Sequence, residues 1–249
     1  MAGHNKWSKV KHIKGAADAK RGKIFSKLSK EITLAAKAGG GSPDMNARLR
    51  TAILSAKAQN MPNDTIDRAV KKGTGEIEGA AIEEIIYEGY GPGGVAFMVE
   101  VATDNRNRSA QDMRTTFSKN NGTFADAGSV AYMFQRRGEI RIDMPAFNEE
   151  QVTELALESG ADDITSDEED WILYTTMEQL FTVGAALKEK SVTTKTQKLI
   201  YLPSTTLLIE EPDVARQLVR LYDALDDYDD TQNVFANFEL SDQAAAALE

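Results

Sequence analysis

The chain has no cysteine in its 249 residues. That removes disulfides, thiol nucleophiles and every zinc or iron–sulfur site that requires a thiolate. Histidine is nearly as scarce: His4 and His12 are the two present. Neither sits in a Gly-x-Ser-x-Gly or His-Glu-x-x-His setting, so neither suggests a catalytic constellation. The opening Met1-Ala2-Gly3-His4-Asn5-Lys6-Trp7 is polar and basic, with no apolar run behind it, and predicts neither a secretory signal nor a membrane span. Repeats of fixed period are lacking too. What is left is a soluble, cytoplasmic, non-enzymatic protein for which no cofactor, metal, membrane or small-molecule substrate is expected. Its length is ample for a packed core in one to three domains.

The formal net charge of −10 averages two unlike parts. Residues 1–72 hold 16 Lys and Arg against five acids (Asp18, Glu31, Asp44, Asp64 and Asp67), and the remaining 13 basic residues face 34 acidic ones. A positive end on an acidic body is the charge pattern of a nucleic-acid-binding arm or module.

Residues 1–16 carry Lys6, Trp7, Lys9, Lys11, His12 and Lys14 with little apolar material, which reads as an arm. From Ala17 to Lys37 the helical period places Ile24, Phe25, Leu28, Ile32 and Ala35 on one arc and Lys20, Lys23, Lys27, Lys30 and Lys37 on roughly the opposite one. Gly39-Gly40-Gly41 ends that helix, and Ser42-Pro43 suits the cap and first turn of a second through Met45, Leu49, Ala52, Ile53 and Ala56. Met61-Pro62 stops it, Asn63 caps a third through Ile66 and Val70, and Gly73 closes the third.

The period then changes. Ile82–Tyr90 and Val95–Thr103 read as strands around Gly91-Pro92-Gly93-Gly94, followed by a helix at Arg106–Lys119 and a strand at Ser129–Phe134. The glycine-rich turn lacks Gly-Lys-Ser/Thr and leads into a strand, so a hairpin is expected rather than a phosphate loop. Residues 138–203 read βαββαβ, the split-βαβ order. After them come a short strand at Thr206–Ile209, a helix at Pro212–Leu225 and a strand at Asn233–Leu240, which return to the sheet begun at Ile82. The expected fold is α+β and multidomain: an N-terminal three-helix domain (1–78), then two ferredoxin-like α/β domains, the third (137–203) inserted into the second (79–136 and 204–249).

Several strings resemble the YebC/PmpR family, which includes the mitochondrial translational activator of cytochrome c oxidase. They are Ala2-Gly3-His4-Asn5-Lys6-Trp7, Asp18 to Phe25, Asn60-Met61-Pro62, Lys72 to Glu76, Tyr87 to Gly94, Thr103 to Arg108, Gly128 to Phe134 and Asp229 to Val234. Departures are local, such as Asn5 where a serine is common. The resemblance implies three domains and a cytoplasmic regulator of gene expression. Bacterial members are usually described as DNA-binding transcriptional regulators, and others are linked to the ribosome and translation.

The residues expected to touch nucleic acid are Lys6, Trp7, Lys9, Lys11, His12, Lys14, Lys20, Arg21, Lys23, Lys27, Lys30, Arg48, Arg50, Arg106 and Arg108. Lysines spaced three to four apart on a helix reach successive phosphates, giving affinity without sequence choice. Arg21, Arg48 and Arg50 are candidates for bidentate pairing with guanine, and Trp7 either stacks on a base or anchors the arm. Asn105 to Arg108 sit at a strand–helix junction, as an anion contact or a helix cap with solvated arginines. The acidic groups Asp167 to Asp170 and Asp226, Asp227, Asp229 and Asp230 lack the ligand spacing of a calcium loop. They are expected as solvated surface or as a docking face for basic protein. DNA is the expected polymer, and ribosomal RNA is the alternative.

Overall fold

The computed structural model describes residues 17–167 and 169–248, with side chains from residue 22 onward. Helix α1 spans Ala17–Gly39, α2 Ala47–Ala58 and α3 Asn63–Thr74. Their shared core holds Ile32, Ala35, Leu49, Ala56, Met61 and Ile66, with Phe25 and Leu28 packed at its margin. Apart from Met61, these are apolar positions of the expected periodicity; Ile24 and Met45, expected with them, are exposed, and Met45 precedes α2. Asn46, not Ser42, caps α2. Its Oδ1 accepts from the Leu49 amide at 3.1 Å, and its Nδ2 donates to the Ala35 and Gly40 carbonyls at 2.7 and 2.9 Å. One buried amide therefore satisfies both ends of the α1–α2 turn.

The third helix runs one residue past Gly73 and closes on Gly75, whose φ is 81°. Gly73 has another task. A Cβ there would lie 2.4 Å from the Thr33 carbonyl oxygen and 2.7 Å from the Ala36 Cβ, so its bare backbone sets the α1–α3 approach. Gly73→Ala is expected to cost about 2 kcal/mol through overpacking. Gly22→Ala, where nothing lies within 4 Å of the added carbon, is expected to gain roughly 0.5–1 kcal/mol from helix propensity. Denaturant unfolding of the two variants checks the opposite signs.

The hairpin is present. Strands β1 (Glu83–Tyr90) and β2 (Ala96–Thr103) pair antiparallel from Glu83 with Thr103 to Tyr90 with Ala96. The turn is closed by the Gly91 amide donating to the Val95 carbonyl at 2.7 Å, and Gly93 and Gly94 take φ of 72° and 77°, a region glycine enters without steric cost. Helix α4 (Arg106–Lys119) crosses to β3 (Thr123–Ala125), which pairs with β1. The segment expected as a strand at Ser129–Phe134 instead forms a 3-10 turn at Ala131–Met133. The cause is Glu88, buried on β1. Its carboxylate accepts from the amides of Gly128, Val130 and Ala131 at 2.7, 2.7 and 3.0 Å, which takes those donors away from any ladder.

The inserted unit follows as β4 (Phe134–Asp143), α5 (Glu149–Ser159), β5 (Asp163–Ser166), β6 (Asp170–Thr175), α6 (Leu180–Glu189) and β7 (Thr194–Pro203). Its sheet order, β5-β6-β4-β7, is that of the split βαβ arrangement. The chain then returns through β8 (Leu207–Ile209) and α7 (Pro212–Asp226) to β9 (Thr231–Ala236). Strand β9 completes the earlier sheet in the order β3-β1-β2-β9. The third unit is thus inserted into the second, behind an N-terminal helical unit. Strand β8 does not join that sheet: it pairs parallel with β10 (Phe238–Leu240), before a short helix α8 (Asp242–Ala246). The strand expected through Leu240 breaks at Asn237, whose buried side chain accepts from the Ala96 amide at 2.7 Å.

Both faces of the earlier sheet are covered, which is why β2 is buried at every position and shows no alternation. Phe97, Val99 and Val101 meet Met113 and Phe117 of α4 and Leu218 and Leu221 of α7. On the other face Ala96 and Met98 meet Phe134, Tyr201 and Phe235. The inserted unit is clasped there by Arg136, which donates to buried Glu100 and lies 4.2 Å above the Tyr201 ring. The helical unit touches the body through a much smaller apolar cluster of Leu34, Ile82 and Ala102. Charged contacts supply the rest of that junction.

Candidate nucleic-acid interface

The lysine face of α1 is not the open stripe that the sequence predicts. Lys23 Nζ pairs with Asp227 at 2.8 Å, Lys27 Nζ with Asp226 at 2.9 Å and Lys30 Nζ with Asp230 at 2.6 Å. Each ammonium also donates to a main-chain carbonyl, those of Asp227, Asp226 and Asp229 respectively. The reason lies in α7. That helix has no basic residue in its last turn and ends at Asp226, so the negative end of its dipole meets a run of four aspartates. The α1 lysines supply the missing positive charge. The acidic corner is a docking face for basic protein, and that protein is the same chain.

Asp230 is the most enclosed member and is not solvated surface. Besides Lys30 it accepts from Arg108 at 2.8 Å, Thr103 at 2.9 Å and Tyr228 at 3.3 Å. Burial alone would raise its pKa, but hydrogen bonds from Lys30, Arg108 and Thr103 hold the carboxyl below its ordinary value. Arg108 is spoken for by this cluster and by Asp104 at 2.9 Å. Arg48 likewise donates through Nε to Glu31 at 2.8 Å and through Nη2 to Glu84 at 2.7 Å. A guanidinium so engaged is not free to pair with guanine. In this structure Lys23, Lys27, Lys30, Arg48 and Arg108 are thus held in intramolecular ion pairs instead of standing open.

Arg108 is nonetheless exposed, and two further predicted residues are exposed without an ion pair among the described residues. Arg50 is exposed, its Nη1 donating to the Pro43 and Asp44 carbonyls. Arg106 is exposed at the first position of α4, where Asn105 caps the helix by accepting from the Arg108 amide at 3.1 Å. Lys6, Trp7, Lys9, Lys11, His12 and Lys14 lie outside the described residues, as do the side chains of Lys20 and Arg21. Sequence reasoning passed over Lys57, Arg68 and Lys71, which are exposed on α2 and α3 and make no ion pair among the described residues. Their signal was available: each lies away from the apolar periodicity of its own helix. It was also silent on Tyr132, which the Glu88-held turn presents 74% exposed.

In the inserted unit, Asp167 and Asp170 are buried and paired with Arg141 at 2.6 and 3.4 Å, and Asp170 also with Lys195 at 2.6 Å. These two are not solvated surface either. Burial opposes ionisation of Asp167, and the amides of Glu169 and Asp170, followed by Arg141, more than offset it, leaving the pKa lowered. Between α1, β9 and this unit lies an open cleft of about 320 Å³ in which Lys27, Arg141 and Lys198 face Glu139 and Asp226. The opposed charges largely neutralise one another. Among the described residues no group of three or more carboxylates and histidines is arranged to hold a metal, and no helix is long and apolar enough to cross a membrane.

Residues 5–76 match the TACO1/YebC protein N-terminal domain, and residues 82–238 match the TACO1/YebC second and third domain. The chain belongs to the TACO1/YebC family. Relatives in it include a protein of Syntrophobacter fumaroxidans, 49% identical over 98% of both chains, and one of Akkermansia muciniphila, 51% identical over the whole of both. Each is named a probable transcriptional regulatory protein. The crystal structure of a conserved hypothetical protein from Aquifex aeolicus superimposes with a TM-score of 0.88 at 44% identity, covering 95% of this chain and 97% of that one. The fold is that of the family.

Proposed function

We propose that the protein is a cytoplasmic, non-enzymatic regulator of gene expression that binds nucleic acid, with DNA as the polymer and transcription as the process. Its contact surface is the arm through Lys6, Trp7, Lys9, Lys11, His12 and Lys14, continued by Lys20, Arg21 and Arg50 and by the outer faces of α2 and α3. The observation that carries the reading is the excess of 16 basic over five acidic residues in positions 1–72. Four of those basic residues, Arg50, Lys57, Arg68 and Lys71, stay exposed without a carboxylate partner among the described residues. The relatives' names support the regulatory role.

Such a surface contacts phosphates, and each contact on duplex DNA contributes about −0.9 to the log–log salt slope. The test is the triple variant K57E/R68E/K71E, whose sites are too exposed to disturb the core. It is expected to bind a 30-base-pair duplex weakly, with a slope shallower by about 2–3 than that of the parent chain. Affinity and slope unchanged on duplex and on single-stranded RNA alike would remove the surface from the account. Loss confined to RNA would move the polymer to RNA.

A further inference from the structure

We infer that the acidic corner following α7 is an intramolecular stand-in for a polyphosphate, which occupies the lysine face of α1 and is displaced when that face engages nucleic acid. The inference rests on the nucleic-acid reading above and names the regulation of that surface. Lys23, Lys27 and Lys30 project from one side of α1 at intervals of four and three residues. Each meets two oxygens, one carboxylate and one carbonyl, at 2.6 to 3.3 Å, much as an ammonium meets the oxygens of a phosphate row.

The corner is built for release as well as for capture. The lysine side chains are 42%, 24% and 18% exposed from Lys23 to Lys30, so the ion pairs open from the end nearest the basic arm. Little apolar surface holds the helical unit to the body beyond Leu34, Ile82 and Ala102. Exposed ion pairs are individually weak and screened by salt. A competing polyanion need only outbid them at Lys23 and Lys27, while Lys30 stays with the enclosed Asp230. Apparent affinity is then the intrinsic affinity reduced by the fraction of molecules whose lysine face is free. A clamp with a purely structural role predicts otherwise: breaking it lowers stability and leaves affinity alone.

The experiment compares the full chain with D226N/D227N for binding to a 30-base-pair duplex and a 30-nucleotide RNA. A charge-matched control, E150Q/E154Q, sits on the exposed face of α5. The double variant is expected to bind on the order of tenfold tighter. That advantage shrinks as salt rises, because salt also loosens the parent's ion pairs. The control stays within about twofold, since remote charges are largely screened. D227N alone, at a side chain 74% exposed, gives a smaller gain in the same direction and guards against misfolding of the double variant. Equal affinity of D226N/D227N and the parent overturns the inference while the nucleic-acid reading stands. Equal gains in the double variant and the control also overturn it, because bulk charge then explains them. Absence of binding by every protein overturns the nucleic-acid reading and this inference with it.

Discussion

Asp230→Ala is expected to destabilise the protein by about 3 kcal/mol, because it removes one side of a buried ionic cluster and strands the other. The carboxylate is almost fully enclosed and accepts from Lys30, Arg108, Thr103 and Tyr228. Without it, the half-buried Lys30 ammonium keeps only the Asp229 carbonyl and the buried Thr103 hydroxyl loses its nearest acceptor, while Ala supplies none. The cluster ties three elements together: α1 through Lys30, the β2–α4 junction through Thr103 and Arg108, and the turn before β9. Urea unfolding measures the loss, and an unchanged midpoint would show that the cluster contributes nothing net. The same group predicts acid behaviour. Its folded pKa lies below the ordinary value of 3.8, so its contribution is complete above about pH 4 and disappears as pH falls through the lower folded value. Stability plotted against pH below about 4 should therefore fall less steeply in D230N than in the parent.

Glu88→Ala has a comparable expected cost, also about 3 kcal/mol, for a different reason. Among the described residues no cation pairs with this buried carboxylate: three main-chain amides of residues 128–131 donate to it. Hydrogen bonds to a charged acceptor are individually worth about 1.5–3 kcal/mol, and the Val130 amide, buried and orphaned, adds its desolvation cost. The loss is local in its first effect. Amide exchange at Gly128, Val130 and Ala131 should accelerate well beyond that of β1 and β2. Glu88→Gln, which keeps one acceptor oxygen but turns a donor toward the amides, should fall between Ala and the parent. Retained protection in Glu88→Ala would contradict the assignment.

The contrast between Glu88 and Lys27 shows what the sequence makes legible. Local periodicity is written in the chain: the apolar positions of α1 through Ile32 and Ala35, the Gly91–Gly94 turn and the βαββαβ order of the insert all appear in the structure. These features depend on neighbours within a few residues. The partners of long polar side chains are set by topology instead. Lys27 meets Asp226 across 199 residues, and Glu88 meets Val130 across 42; no spacing rule connects such pairs. The charge asymmetry of residues 1–72 was legible, but its use was not. A helix that shows a lysine stripe in isolation becomes an ion-paired face once α7 brings its aspartates alongside. The same limit turned the expected strand at Ser129–Phe134 into a 3-10 turn, because a glutamate from another strand claimed its amides.

The central claim, that nucleic acid is gripped by the N-terminal helical unit and its arm, is tested most directly by ultraviolet crosslinking of the intact protein in cells. The recovered DNA and RNA would be sequenced and the crosslinked peptides identified by mass spectrometry. The account predicts crosslinks concentrated within residues 1–78, on DNA, and diminished in K57E/R68E/K71E. Crosslinks confined to the acidic body, or none on either polymer, would contradict it.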